Sequence, residues 1–310
     1  MSPFASAAAA PSAVETRYRS SDPLQQAIAL KTADDDVRSV FSALLREAGH
    51  EGWKSAAAQT ERVTAERAVA SWEGWLAAHG SSRYGFDQQG GFLPLRGLEG
   101  NPSVRRGKGS DDLRQDFGRI VHDAVQAGAY AAPEAWLRSL PAADLAALQQ
   151  VHHLADPIEP CTLSREGALN LLLPPAATVD LDGNGLTSAG RGGSLPFPDS
   201  RAPPQAVRAW EQATRGMSAE EKLLRSGSIV FHVGPENIHL NSRGECVRVS
   251  MPGDPDFVNA REAAGFSWAD FAAGKLDALE HFKSKIEPAQ YARDRAFWSA
   301  FRDALPASDP

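Results

Sequence analysis

The chain has 310 residues, of which 42% are hydrophobic and 23% charged, and 32 basic against 39 acidic residues give a net charge of -7. This composition excludes a wholly disordered chain, and the acidic balance argues against a general nucleic-acid binder, whose affinity rests on clustered Lys and Arg. Two cysteines exclude a disulfide-dense scaffold and any cysteine-rich zinc module.

No stretch approaches the roughly 18 consecutive apolar residues needed to span a bilayer, so no membrane association is expected. The N-terminal residues 1–13 are rich in Ala and Ser but lack a basic n-region and a leucine-type h-region. Residues 1–22 therefore read as a disordered leader. The expected location is cytoplasmic, with signal-independent export left open.

The first half reads as helix. Val37, Val40, Phe41, Leu44, Leu45 and Ala48 fall on one helical face, with Asp34 placed to cap it and Gly49 to stop it. Residues 53–79 contain no proline and carry Val69, Trp72 and Leu76 on one side, which predicts a long helix, or two with a break near Gly74. Leu113, Phe117, Ile120, Val121 and Ala124 form another stripe, with Asp111 and Asp112 in its first turn, where the macrodipole favours negative charge. Two shorter helices are expected over 133–140 and 141–155, each opened by a proline.

Between these helices, residues 80–109 hold clustered glycines and a small basic group, Arg105, Arg106 and Lys108. A loop is expected there, mobile and protease-sensitive. The run Gly107-Lys108-Gly109-Ser110 suggests a phosphate-binding loop, but the pattern fails at both ends. Position 102 is Pro102 where the first glycine is needed, and Gly109 follows the lysine where Ser or Thr is needed.

The middle changes character. A short helix opened by Ser164 and Gly167 should run into Leu171, Leu172 and Leu173 and stop at Pro174-Pro175. Gly- and Pro-rich chain follows over 180–204, then a helix over 205–214 and another capped by Ser218 and Glu221. Strands are expected over 229–233, 237–240 and 246–249, with a turn at 241–244, giving a hairpin or three-stranded meander. Two C-terminal helices should start at Ser267 and Pro288. The fold class is mainly α, with one small antiparallel β element near 228–250 and long irregular loops. The regions are a leader (1–22), a helical part (23–160) and a loop, hairpin and helical pair (161–310) sharing one core.

One local motif points to chemistry. Asp180, Asp182 and Asn184 stand at positions one, three and five of a loop with Gly185 at six. Oxygens at that spacing curl around one hard cation, and the glycine permits the sharp turn. The carbonyl of Leu186 would be the seventh-position ligand, and Ser188 stands at the ninth. These residues resemble the half-loop of EF-hands and of dockerin-type bacterial calcium modules. The resemblance covers about twelve residues and implies a calcium site, not a whole-protein family. It departs at position twelve, where Arg191 replaces the bidentate carboxylate, so an acid from elsewhere, such as Asp199 or Glu211, would have to close the shell. Without a cation the same residues make an Asx-rich turn.

The other candidates are histidines and cysteines. If 229–233 is a strand, His232 and His239 could meet across the hairpin near Glu236 or Glu245, as a metal or acid–base site. His152 and His153 are adjacent on a helix and point about 100° apart, so they do not chelate together. Cys161 and Cys246 read as buried small apolar residues. The sequence thus favours a non-catalytic, mainly helical protein that binds an unidentified protein partner and uses calcium to order its central loop. A metal-dependent or His-based hydrolase with its site at His232 and His239 is the alternative.

Overall fold

The N-terminal helix starts earlier than its apolar stripe suggests. In the computed structural model, which describes residues 23–79, 110–232 and 234–306, α1 runs unbroken over Pro23–Glu47. Asp34 therefore lies mid-helix and caps nothing. Its carboxylate instead accepts the Trp75 indole N–H at 2.7 Å and pairs with His79 at 3.1 Å. A tertiary partner has overridden a local capping preference. Gly49, at φ +85°, ends this segment as expected. The expected leader and the glycine-rich stretch 80–109 lie outside the described residues.

The next helix, α2, spans Ala65–His79 and passes straight through Gly74. The expected start at 53 is wrong because Thr64 caps the helix, its hydroxyl accepting the Arg67 N–H at 3.3 Å. Then come α3 (Ser110–Gln126), α4 (Pro133–Ser139) and α5 (Ala142–Val151). Chain contacts divide the protein into two compact units. The first comprises the described parts of Met1–Ala48, Ala57–Cys161 and Leu171–Ala177. Its core is the seam of α1, α2 and α3. Val37, Phe41, Ala68, Phe117 and Val121 are fully buried there, and Trp72 meets Phe117 edge-on at 4.7 Å between centroids. His152 turns its ring inward, Nε2 lying 3.2 Å from the Leu171 carbonyl, and burial pushes its pKa down to about 4.

The second unit comprises the described parts of Gly49–Ala56, Thr162–Asn170 and Thr178–Pro310. It holds α6 (Arg165–Asn170), the hairpin β1 (Thr187–Ala189) with β2 (Gly192–Ser194), α7 (Pro204–Ala213) and α8 (Ala219–Val230). The hairpin β3 (Ile238–Leu240) with β4 (Cys246–Val249), α9 (Trp268–His281) and α10 (Pro288–Asp303) complete it. Its core is aromatic: Phe197, Trp210, Trp268, Phe271, Phe297, Trp298 and Phe301 interlock, most pairs edge-to-face. The Ser218 capping box and the Ser267 cap both form.

Ten α-helices and two small antiparallel sheets among the described residues make the fold mainly α. Two strand expectations need correction. Ile229 and Val230 are the last turn of α8, not a strand, because the capping box starts a helix whose buried face they complete. The β1–β2 hairpin was not anticipated, since its residues are mostly small and carry little β propensity. Among the described residues no helix is long and apolar enough to cross a membrane.

Candidate metal centre

The loop that follows Val179 folds around its own side chains. Asp180 accepts the N–H of Gly183 on Oδ1 at 2.8 Å and that of Gly185 on Oδ2 at 3.0 Å. Asp182 accepts the Asn184 N–H at 3.1 Å, and Asn184 Oδ1 accepts the Leu186 N–H at 2.8 Å. Gly183 and Gly185 sit at φ +73° and +80°, a conformation that side chains other than glycine rarely adopt. The Asx-turn chemistry read from the sequence is therefore present.

A third carboxylate arrives from α6. Glu166 accepts the Leu181 N–H on Oε2 at 2.7 Å and the Ser188 N–H on Oε1 at 2.6 Å, so it clasps both ends of the loop. Its position depends on Gly167. The Gly190 N–H donates to the Gly167 carbonyl at 2.8 Å, and a Cβ on Gly167 would lie 2.2 Å from the Gly190 carbonyl oxygen. That close approach seats the β1–β2 turn on α6. Asn170 then pins the pair by donating to the carbonyls of Val179 and Ser188, at 2.8 and 2.6 Å.

Glu166, Asp180 and Asp182 consequently bring one oxygen each within 4.8 Å of one another. Glu166 and Asp180 are buried, at 7% and 4% exposure, while Asp182 faces solvent. Burial, with the neighbouring carboxylates adding to it, pushes Glu166 up to about 7. Burial likewise raises Asp180 to about 6, against the lowering effect of its two backbone N–H donors. Each of these carboxylate oxygens has spent one lone pair on an N–H and keeps another. The donor set is oxygen only, which suits a hard cation rather than zinc or copper.

Several sequence expectations take definite places. Leu186 and Ser188 enter the network through their backbone N–H groups, and the Leu186 side chain fills the space left by Gly193 and Gly253. Arg191, at position twelve, lies in the turn between β1 and β2, so no exiting helix follows the loop. Asp199 does not join the group of acids: it is buried against Arg261 at 2.6 Å, with its other oxygen on the Arg201 N–H. Glu211 lies on α7, also outside the group. Nothing in the spacing of Glu166 ties it to a loop that begins 14 residues later at Asp180, so the sequence alone does not point to it.

Arg201 covers the outer side of the loop. Its guanidinium pairs with Glu262 at 2.8 Å and Glu51 at 3.4 Å, and stacks 3.3 Å from where a Gly183 Cβ would be.

The histidine site does not assemble as expected. His232 follows the end of α8 rather than lying on a strand, and its ring meets Phe271 edge-on at 4.9 Å. His239 is on β3, with Nε2 2.7 Å from Ser250 Oγ and 3.4 Å from Asp256. Ser, His and Asp are thus neighbours, but the same imidazole nitrogen faces both partners and Ser250 is fully buried. A nucleophilic triad needs the acid on the other nitrogen and a reachable hydroxyl. Cys161 and Cys246 are exposed, which corrects the expectation that they are buried. Comparison with protein families, with curated proteins and with solved structures finds no match for this chain.

Proposed function

We propose that this is a non-catalytic binding or structural protein whose central loop is ordered by calcium, held by Asp180, Asp182 and Glu166. The supporting observation is the convergence of those three carboxylates, two of them buried, on a loop that also carries Asn184. The ion would act structurally. It would tie α6 to the irregular loop between Val179 and β1. Glu166 takes the place of the missing twelfth-position acid, so the bidentate ligand comes from a preceding helix instead of a following one. Affinity should remain in the weak class, about 10⁻⁴ to 10⁻³ M, because the loop lacks its exiting helix. Occupancy would then track compartments where calcium is near millimolar.

Thermal unfolding with and without calcium tests the reading. Calcium at ten to a hundred times its Kd should stabilise the folded chain by about 1.4 to 2.7 kcal/mol. Asp180→Ala with Asp182→Ala should abolish that gain. The pH dependence has a definite sign. Glu166 and Asp180 have folded pKa values above their unfolded ones, so without metal their contribution to stability is full below about pH 4. It is lost as pH rises through 6 to 7. A cation replaces those protons, so the calcium gain should grow from pH 5 to pH 7.5. No rise in melting temperature at millimolar calcium and pH 7.5 would leave the loop as a self-satisfied Asx turn. Retention of stoichiometric zinc, manganese or iron would instead favour the hydrolase reading.

A further inference from the structure

The C-terminal turn of α5 is strained beside an inward-facing histidine. His152 caps the helix, and His153 follows at φ +52°, a left-handed conformation that usually falls to glycine. The turn closes through the His153 N–H on the Gln150 carbonyl at 3.2 Å and the Leu154 N–H on the Gln149 carbonyl at 3.0 Å. The His152 ring points into the first unit, edge-on to Phe117 of α3 at 6.3 Å between centroids. Its Nε2–H donates to the Leu171 carbonyl, and the other ring nitrogen meets no hydrogen-bond partner among the described residues. Leu171 opens the strap Leu171–Ala177, which two further side chains hold. Tyr130 Oη donates to the Leu172 carbonyl at 3.2 Å and Arg38 Nε to that of Ala176 at 3.3 Å. A guanidinium is already charged, and burial raises the Tyr130 phenol, so acid leaves both of these donors as they are.

We propose that this turn is an acid-operated latch: protonation of His152 expels its ring and frees the Leu171 end of the strap. The imidazolium carries two N–H groups where the interior offers one carbonyl, and an enclosed donor without a partner is costly. No carboxylate answers the charge. From α3 the ring meets Phe117, from the strap a carbonyl, and the ionisable group that acts on it among the described residues is His153, a like charge. The ion pair that α3 and α5 share, Arg119 with Asp144 at 2.5 Å, lies at the start of α5. Burial, with His153 adding to it, therefore lowers His152 to about 4. The folded value lies below the unfolded one, about 6.5, so the contribution to stability is whole above pH 6.5 and is lost as pH falls towards 4. The strain at His153 favours the same motion, because a turn that no longer holds the ring inward can return to negative φ.

Urea unfolding of the full chain at pH 7.5 and pH 5 tests this, comparing wild type with His152→Gln, whose amide can still donate to Leu171 but takes up no proton. The comparison cancels the carboxylates that titrate over the same range. The folding equilibrium of wild type relative to His152→Gln should fall about 30-fold between the two pH values, the ratio that 6.5 against about 4 implies. Amide exchange of wild type alone, corrected for its intrinsic pH dependence, locates the change. Protection should drop at pH 5 over residues 148–154 and 171–173 while the seam of α1 and α2 keeps its own. A relative equilibrium that moves less than threefold overturns the proposal. So does one that rises at pH 5, as an imidazolium at an open helix C-terminus would make it. Protection lost evenly across the first unit at pH 5 overturns the latch as well.

Discussion

Asp199→Ala is expected to destabilise the second unit by about 3 to 5 kcal/mol, the cost of leaving a buried charge without its partner. Arg261 and Asp199 are 10% and 8% exposed at the side chain and 2.6 Å apart, so truncation strands a guanidinium in the interior. The second Asp199 oxygen also holds the Arg201 N–H, and Arg201 in turn covers the candidate loop. Urea unfolding gives the number. Replacing both partners by apolar residues of similar size, Asp199→Leu with Arg261→Met, should recover most of the loss, since the penalty comes from the unpaired charge. If Asp199→Ala costs less than about 1 kcal/mol, the pair is hydrated in solution and the description of that interior is wrong. Because Asp199 stands outside the acidic group, any calcium-dependent gain should persist in whatever fraction of the variant folds.

Gly167→Ala should cost about 3 kcal/mol, at the upper end of overpacking, because the obstructing atom is backbone. The new Cβ would sit 2.2 Å from the Gly190 carbonyl oxygen and 3.2 Å from Ser164 Oγ, and neither α6 nor the β1–β2 turn can absorb that by rotating a side chain. Relief requires the hairpin to lift from α6. That motion breaks the Gly190–Gly167 hydrogen bond and pulls the Ser188 N–H away from Glu166. The variant should therefore lose both stability and calcium response. Ala at Gly74, where an added Cβ meets nothing within 4 Å, is the matched control and should be neutral or slightly stabilising. Equal effects at the two glycines would show that the close approach does not exist in solution.

Much of the helical architecture was legible because helix signals are local. The stripes of α1 and α3, the prolines opening α4 and α10, and the caps at Ser218 and Ser267 all act within a turn or two. The misread positions are those where a distant contact decides. Asp34 looks like a cap until Trp75 and His79 are brought to it, and Ile229 and Val230 look like strand until the helix started at Ser218 carries them into a core. The loop at Asp180 was visible for the same reason as the helices, since its Asx and glycine spacing is a short-range pattern. Glu166 was not, because its approach rests on two glycines meeting backbone to backbone, which leaves no periodic trace. The His232 and His239 pairing failed with the strand it assumed.

Calcium titration by calorimetry at pH 7.5, comparing wild type with Glu166→Gln, asks whether the three carboxylates bind calcium together. Glutamine keeps the size and accepts hydrogen bonds through one oxygen, but removes the charge and the bidentate option. Wild type should show a single weak site, tenfold or more weaker in Glu166→Gln, and absent in Asp180→Ala with Asp182→Ala. Wild-type protein that binds no calcium at millimolar concentration, or binds it equally well after Glu166→Gln, would contradict a shared site.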